Sequence, residues 1–174
     1  MLPAAQALIA ELDAETPATR RVLERLPGDR FQWRPHPKSL SVGQLAHHVA
    51  SIPGNMARLA HLDGLDVANG RFEYAASESV PALFATLEAS LTSARDFLSG
   101  LDAERANAVW RLTAGDRELA SMPRIGVMRT MCLNHWYHHR GELVVYLRLL
   151  NIPVPVVYGR SADEGPGTES APAS

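Results

Sequence analysis

The chain has 174 residues, 46% of them hydrophobic and 21% charged, with a formal net charge of -2. That length supports one domain with a hydrophobic core of its own, and the lack of a basic excess argues against a nucleic-acid or membrane-surface partner. A single cysteine, Cys132, excludes an internal disulfide, and no apolar run reaches the roughly 18 residues a bilayer span needs.

The first predicted element runs from Leu2 to Leu26, with Leu8, Ile9, Leu12, Val22, Leu23 and Leu26 on a helical stripe and Pro17 as a kink. Pro27-Gly28-Asp29 ends it, and the prolines around His36 in the connector Phe31–Ser39 forbid a regular helix there. Ser41, with Gln44 three positions on, reads as a capping box opening a second helix to about Leu62, bent by Pro53-Gly54. Asp63 to Ser77 reads as a long loop. Ser79 caps a third helix to Leu98, whose stripe is Leu83, Leu87, Leu91, Ala94 and Leu98. Val109–Leu112 and Arg117–Leu119, flanking Ala114-Gly115-Asp116, read as a small β-hairpin. A fourth and longest helix spans Arg124 to Leu150 and stops at Asn151-Ile152-Pro153. The expected fold class is therefore all-α. It is an up-down four-helix bundle with long connections over residues 1–160 and a small hairpin before the last long helix. The Ser-, Gly- and Pro-rich stretch 161–174 is expected to be a disordered or draped tail.

The chemistry lies in the histidines. His135 and His139 are four apart on the fourth helix, one turn above each other on one face, the spacing two imidazoles need to share a transition-metal ion. Met128, Cys132, His135, His139, Leu143 and Tyr146 step along that face, and His138 falls to its flank. On the second helix His48 lies in the stripe Leu45, His48, Ile52, Met56, which His47 leaves. Helical phase thus nominates His48, His135 and His139 as the metal ligands, with His47 and His138 as second choices. Three neutral imidazoles suit Zn, Ni, Fe or Mn and leave a position for water or substrate. Cys132 shares the face of the ligand pair, so it is either a small buried hydrophobe or a fourth ligand that closes the site. Arg140, Glu142 and Asn134 flank the ligands and can orient them. His36 and His61 read as structural or surface residues.

Three stretches resemble one known family: Trp33–Ser39 leading to Leu45-Ala46-His47-His48-Val49-Ala50; Leu133-Asn134-His135-Trp136-Tyr137-His138-His139-Arg140-Gly141-Glu142-Leu143; and Tyr146–Leu150 with Val154-Pro155 and Tyr158-Gly159. The chain resembles the DinB-like, damage-inducible family of four-helix-bundle metalloproteins over nearly its whole length to Glu164. The resemblance implies a His-triad divalent-metal site, which falls on His48, His135 and His139. It also implies kinship with thiol-dependent transferases and isomerases that activate a low-molecular-weight thiol at the metal, though many relatives have no known reaction. Relatives usually carry Gln at the position of Glu142 and an apolar residue at that of Cys132.

Three functions follow as expectations. The first is a metal-dependent small-molecule enzyme, a thiol transferase or hydrolase, with a small-molecule substrate and a thiol co-substrate. The second is a non-catalytic metal-binding stress protein, and the third an interaction module without a metal. A bacterial cytoplasmic location is expected, because the N-terminus lacks a basic segment and Glu11 and Asp13 interrupt any signal-like core. The long apolar fourth helix also offers a surface for a homodimer.

Overall fold

Each long apolar stripe becomes a helix, and the caps fall where the sequence places them. In a computed structural model describing residues 1–68, 70 and 73–165, the protein is mostly helical with one small three-stranded sheet. Helix α1 (Pro3–Glu24) starts on a proline, where a missing N–H removes no helical bond, and continues through Pro17. Helix α2 (Val42–His61) opens on the expected capping box: Ser41 Oγ accepts from the Gln44 N–H at 3.2 Å, and Gln44 Oε1 accepts from the Ser41 N–H at 3.0 Å. Two orphan donors are satisfied reciprocally. Helix α3 (Val80–Ser99) is capped by Ser79, and a one-turn helix α4 (Ala103–Asn107), too short to carry a sequence period, is capped by Asp102.

The all-α expectation needs correcting. The predicted hairpin forms and is longer than expected, with β2 (Val109–Ala114) antiparallel to β3 (Arg117–Pro123). Gly115, at φ +60°, makes the turn in a region L side chains rarely enter. A third strand, β1 (Gly64–Asp66), comes from the stretch expected to be an irregular loop and pairs parallel to β2, Leu65 opposite Leu112. Three residues are too few to show a period, which hides the strand in the sequence.

The fourth long helix is also not one α-helix. Its first turn, α5 (Arg124–Gly126), passes into a π-helical stretch (Val127–Asn134) before α6 (His135–Leu149). A π turn closes i→i+5 hydrogen bonds. The buried pairs Val127–Cys132 and Met128–Leu133 are five apart, so the wider turn brings all four to the core.

Helix α2 packs on α3 and α6, and α1 packs on the same two helices. Leu12, Leu23, Leu45, Leu83, Leu87 and Leu91 are fully buried between them, each stabilising the fold by about 1.5–3 kcal/mol. Two indole donors and two buried arginines set the contacts. Pro53 cannot donate to the Val49 carbonyl one turn back in α2, and Trp136 Nε1 of α6 takes that acceptor at 2.9 Å. At the end of α2, where carbonyls lose their helical partners, Trp110 Nε1 donates to Leu59 at 3.1 Å. Arg124 Nη1 donates to Ala60, His61 and Leu62 at 2.7, 2.9 and 2.7 Å. Arg140, 1% exposed, reaches from α6 to Glu15 Oε2 at 2.6 Å and Thr19 Oγ1 at 3.1 Å on α1, and also donates to the Tyr158 hydroxyl.

Of the expected tail, 166–174 lie outside the described residues. Residues just before them are tied down: Asp163 accepts from the Val154 N–H at 2.9 Å and Glu164 from the Val156 N–H at 2.8 Å. Among the described residues no helix is long and apolar enough to cross a membrane.

Candidate metal centre

The Trp136–Val49 bond holds the start of α6 against the middle of α2, and this contact brings the histidines together. His48 Nε2 lies 3.2 Å from His135 Nε2, and His139 Nε2 lies 2.8 Å from His135 Nε2. Ring centroids are 4.6 to 5.0 Å apart in all three pairings. One ligand atom from each falls within 4.8 Å of the others, so the group can hold a metal ion. Two nitrogens each about 2.0–2.1 Å from one ion, at angles between octahedral and tetrahedral, stand roughly 2.8–3.4 Å apart. The observed separations fit that requirement.

The surroundings favour neutral imidazoles. Burial, then repulsion from His139, His135 and His47, lowers the His48 pKa from 6.5 to about 4. His135 is also lowered, by burial first and then by His139. Neutral nitrogens are the form that binds metal. The His139 Nδ1 lies 2.5 Å from Glu142 Oε2, one α-helical turn on. With the Nδ1 proton directed at that carboxylate, the Nε2 lone pair faces the cluster. Tyr74 and His48 pack T-shaped, with ring centroids 5.1 Å apart.

Other residues fall elsewhere. His138 is on the flank, 64% exposed, 3.5 Å from Glu142 Oε1, and makes a second, more open group with His139 and Glu142. His47 is half-buried and outside both groups. His36 Nδ1 accepts from the Lys38 N–H, and His61 packs on Phe97, away from the cluster. Arg140 and Asn134 do not serve the ligands: Arg140 turns to α1, and Asn134 accepts from Arg129 at 3.2 Å. The fully buried face of α6 is Trp136, Arg140, Leu143 and Leu147, while His135 and His139 lie half-buried beside it. The π stretch explains the change, since it shifts the phase of Met128 and Cys132 relative to His135. Sequence pattern alone misses Tyr74, because nothing in its loop marks it. Glu142 has a visible signal, its i,i+3 spacing from His139.

Cys132 is fully buried and belongs to neither group. Burial pushes its thiol pKa up to about 12, so it packs as a neutral hydrophobe. Cys132→Ser is expected to keep full metal stoichiometry while costing about 1–3 kcal/mol of stability for the buried hydroxyl. Elemental analysis and thermal melts read the two effects separately, and a folded variant without metal would make Cys132 a ligand.

The depressed His48 pKa also sets a pH dependence. The unfolded chain takes up this proton near 6.5 and the folded one only near 4. The His48 contribution to the stability of metal-free protein is therefore constant above about pH 6.5 and is lost as pH falls toward 4. His48→Ala should flatten part of that slope in denaturant titrations across this range.

Comparison with known proteins places this geometry. The profile of the DinB superfamily matches residues 11–143. Three solved structures share the fold. A DinB-like protein from Bacillus cereus is 19% identical, with 88% of this chain and 97% of that one covered at a TM-score of 0.66. A protein from Exiguobacterium sibiricum, assigned to the DinB family, is 21% identical over 90% and 97%, at 0.65. A DinB-like protein from Bacillus subtilis is 16% identical over 88% and 99%, at 0.63. No curated protein matches the sequence.

Proposed function

We propose that this protein, which belongs to the DinB superfamily, is a divalent-metal-dependent small-molecule enzyme of the thiol-transferase type. His48, His135 and His139 hold the ion, whether Zn, Ni, Fe or Mn. In this reading α1, α2, α3 and α6 form an up-down four-helix bundle, supported by the closed ring of contacts α2–α3–α1–α6–α2.

One observation carries the proposal: three imidazole nitrogens converge with no fourth protein ligand among the described residues, and a cavity of about 550 Å³ opens beside His48 and His135. An open position is what distinguishes catalytic from structural metal sites. A bound divalent ion supplies Lewis acidity, which lowers the pKa of a coordinated thiol or water. The protein's own groups do the rest. Glu142 orients the His139 ring through Nδ1, Tyr74 packs T-shaped on His48, and the cavity gives a small molecule access beside His48 and His135.

The test uses protein purified without a His tag and loaded with Co(II). Added small thiols should give intense sulfur-to-cobalt absorption in the near ultraviolet and release protons at neutral pH, as the reference thiol pKa of about 8.5 falls below the working pH. Silence with every thiol, on fully metallated protein, would favour the non-catalytic metal-binding reading.

A further inference from the structure

The cavity beside the histidines has a composition of its own. Opposite His48 and His135 it is walled by Met56 and Leu59 of α2, Leu65 of β1, Val67 just after it, Leu112 of β2 and Met131 of the π stretch. All six are half-buried: Met56, Leu65, Leu112 and Met131 rest one side on the core and leave the rest of their surface uncovered. Apolar side chains left half-covered around one concavity are what an apolar ligand requires, and their burial is completed only when it binds. The sheet explains how the wall is built. Pairing Leu65 opposite Leu112 places both on the cavity side. Gly64 makes the pairing possible, because a Cβ there would lie 2.3 Å from the Arg111 carbonyl oxygen. The Val67 N–H donates to Thr113 O at 2.8 Å and extends the wall past the strand end. Charge sits at the periphery: Arg58 is exposed and donates to Asn55 Oδ1 at 3.1 Å, and Glu73 is exposed on the loop.

We infer that this site takes a small molecule with a metal-binding head and an unbranched or flat apolar body of several carbons, the body lying on Leu65, Val67, Leu112 and Met131. This rests on the open metal site proposed above and adds the chemical class of what reaches it. Two methionines in the wall suit a body of variable shape, since an unbranched thioether repacks easily.

Two ligand series on Co(II)-loaded protein test it, read by absorption and calorimetry. The first is ethanethiol, butanethiol, hexanethiol and octanethiol. The second is methyl-, butyl- and hexylimidazole, which need only an open coordination position. Burying a methylene is worth about 0.8 kcal/mol, or up to about fourfold in affinity. Affinity should rise two- to fourfold per carbon to about six carbons in both series, and level off between hexanethiol and octanethiol. Val67→Asp, at a half-exposed position that leaves the backbone bond intact, should reduce the slope of affinity with length by at least half. A flat dependence on length in both series would overturn the inference and leave the metal site standing. Silent thiols with length-dependent imidazoles would overturn the thiol chemistry and support the apolar cavity. If neither series binds to metallated protein, the site is closed and both readings fall.

Discussion

Replacing His135 with alanine is expected to weaken divalent-metal binding by more than about 100-fold, a larger loss than is typical for removing a group that only supports a ligand. His135 Nε2 lies 3.2 Å from that of His48 and 2.8 Å from that of His139, so its removal leaves the ion only two imidazoles, one from each helix. The fold should survive, since His135 is half-buried and the neighbouring Trp136 keeps the contact between α6 and α2. Calorimetric titration with Zn or Co, alongside circular dichroism, reads both properties. His48→Ala and His139→Ala should behave alike, whereas His36→Ala and His61→Ala should leave affinity unchanged. Full metal content in a folded His135→Ala protein would move the site elsewhere.

The second large effect concerns stability. Glu15→Ala is expected to cost about 3–5 kcal/mol, lowering Tm by about 6–20 °C. The Arg140 guanidinium is held away from water between the rings of Tyr137 and Tyr158, and Glu15 is its only carboxylate partner among the described residues. Truncating Glu15 leaves that charge buried with neutral acceptors. The paired change Arg140→Met with Glu15→Leu should recover much of the loss, because both charges go together. Differential scanning calorimetry of the three variants decides it. A single Glu15→Ala variant melting within about 2 °C of the parent would mean that water or Tyr158 already satisfies Arg140.

Helical phase and capping make much of this architecture legible in the sequence. The Ser41–Gln44 box and the Ser79 cap announce the starts of α2 and α3 because a cap is a local event between residues three apart. His135 and His139 stay on one face because α6 is regular from His135 onward. The π stretch is not legible: Met128 and Cys132 fit a four-residue step as well as the five-residue pairing that packing selects. Nor is β1, whose partner strand lies more than forty residues away in sequence. Arg124 and Arg140 have the sequence signature of surface charges, since their acceptors are carbonyls and a carboxylate brought in from other helices.

The bond from Trp136 to the carbonyl that Pro53 leaves free bears on how such a chain can change over generations. Exchanging Pro53 for a residue with an N–H lets a helical donor share the Val49 oxygen with the indole, since its two lone pairs serve both, as the Leu59 oxygen already serves Trp110 and Leu62. Exchanging Trp136 alone strands the carbonyl in a dry core instead. The order of change therefore matters: proline can be lost first at little cost, whereas a descendant that keeps Pro53 without Trp136 should be rare.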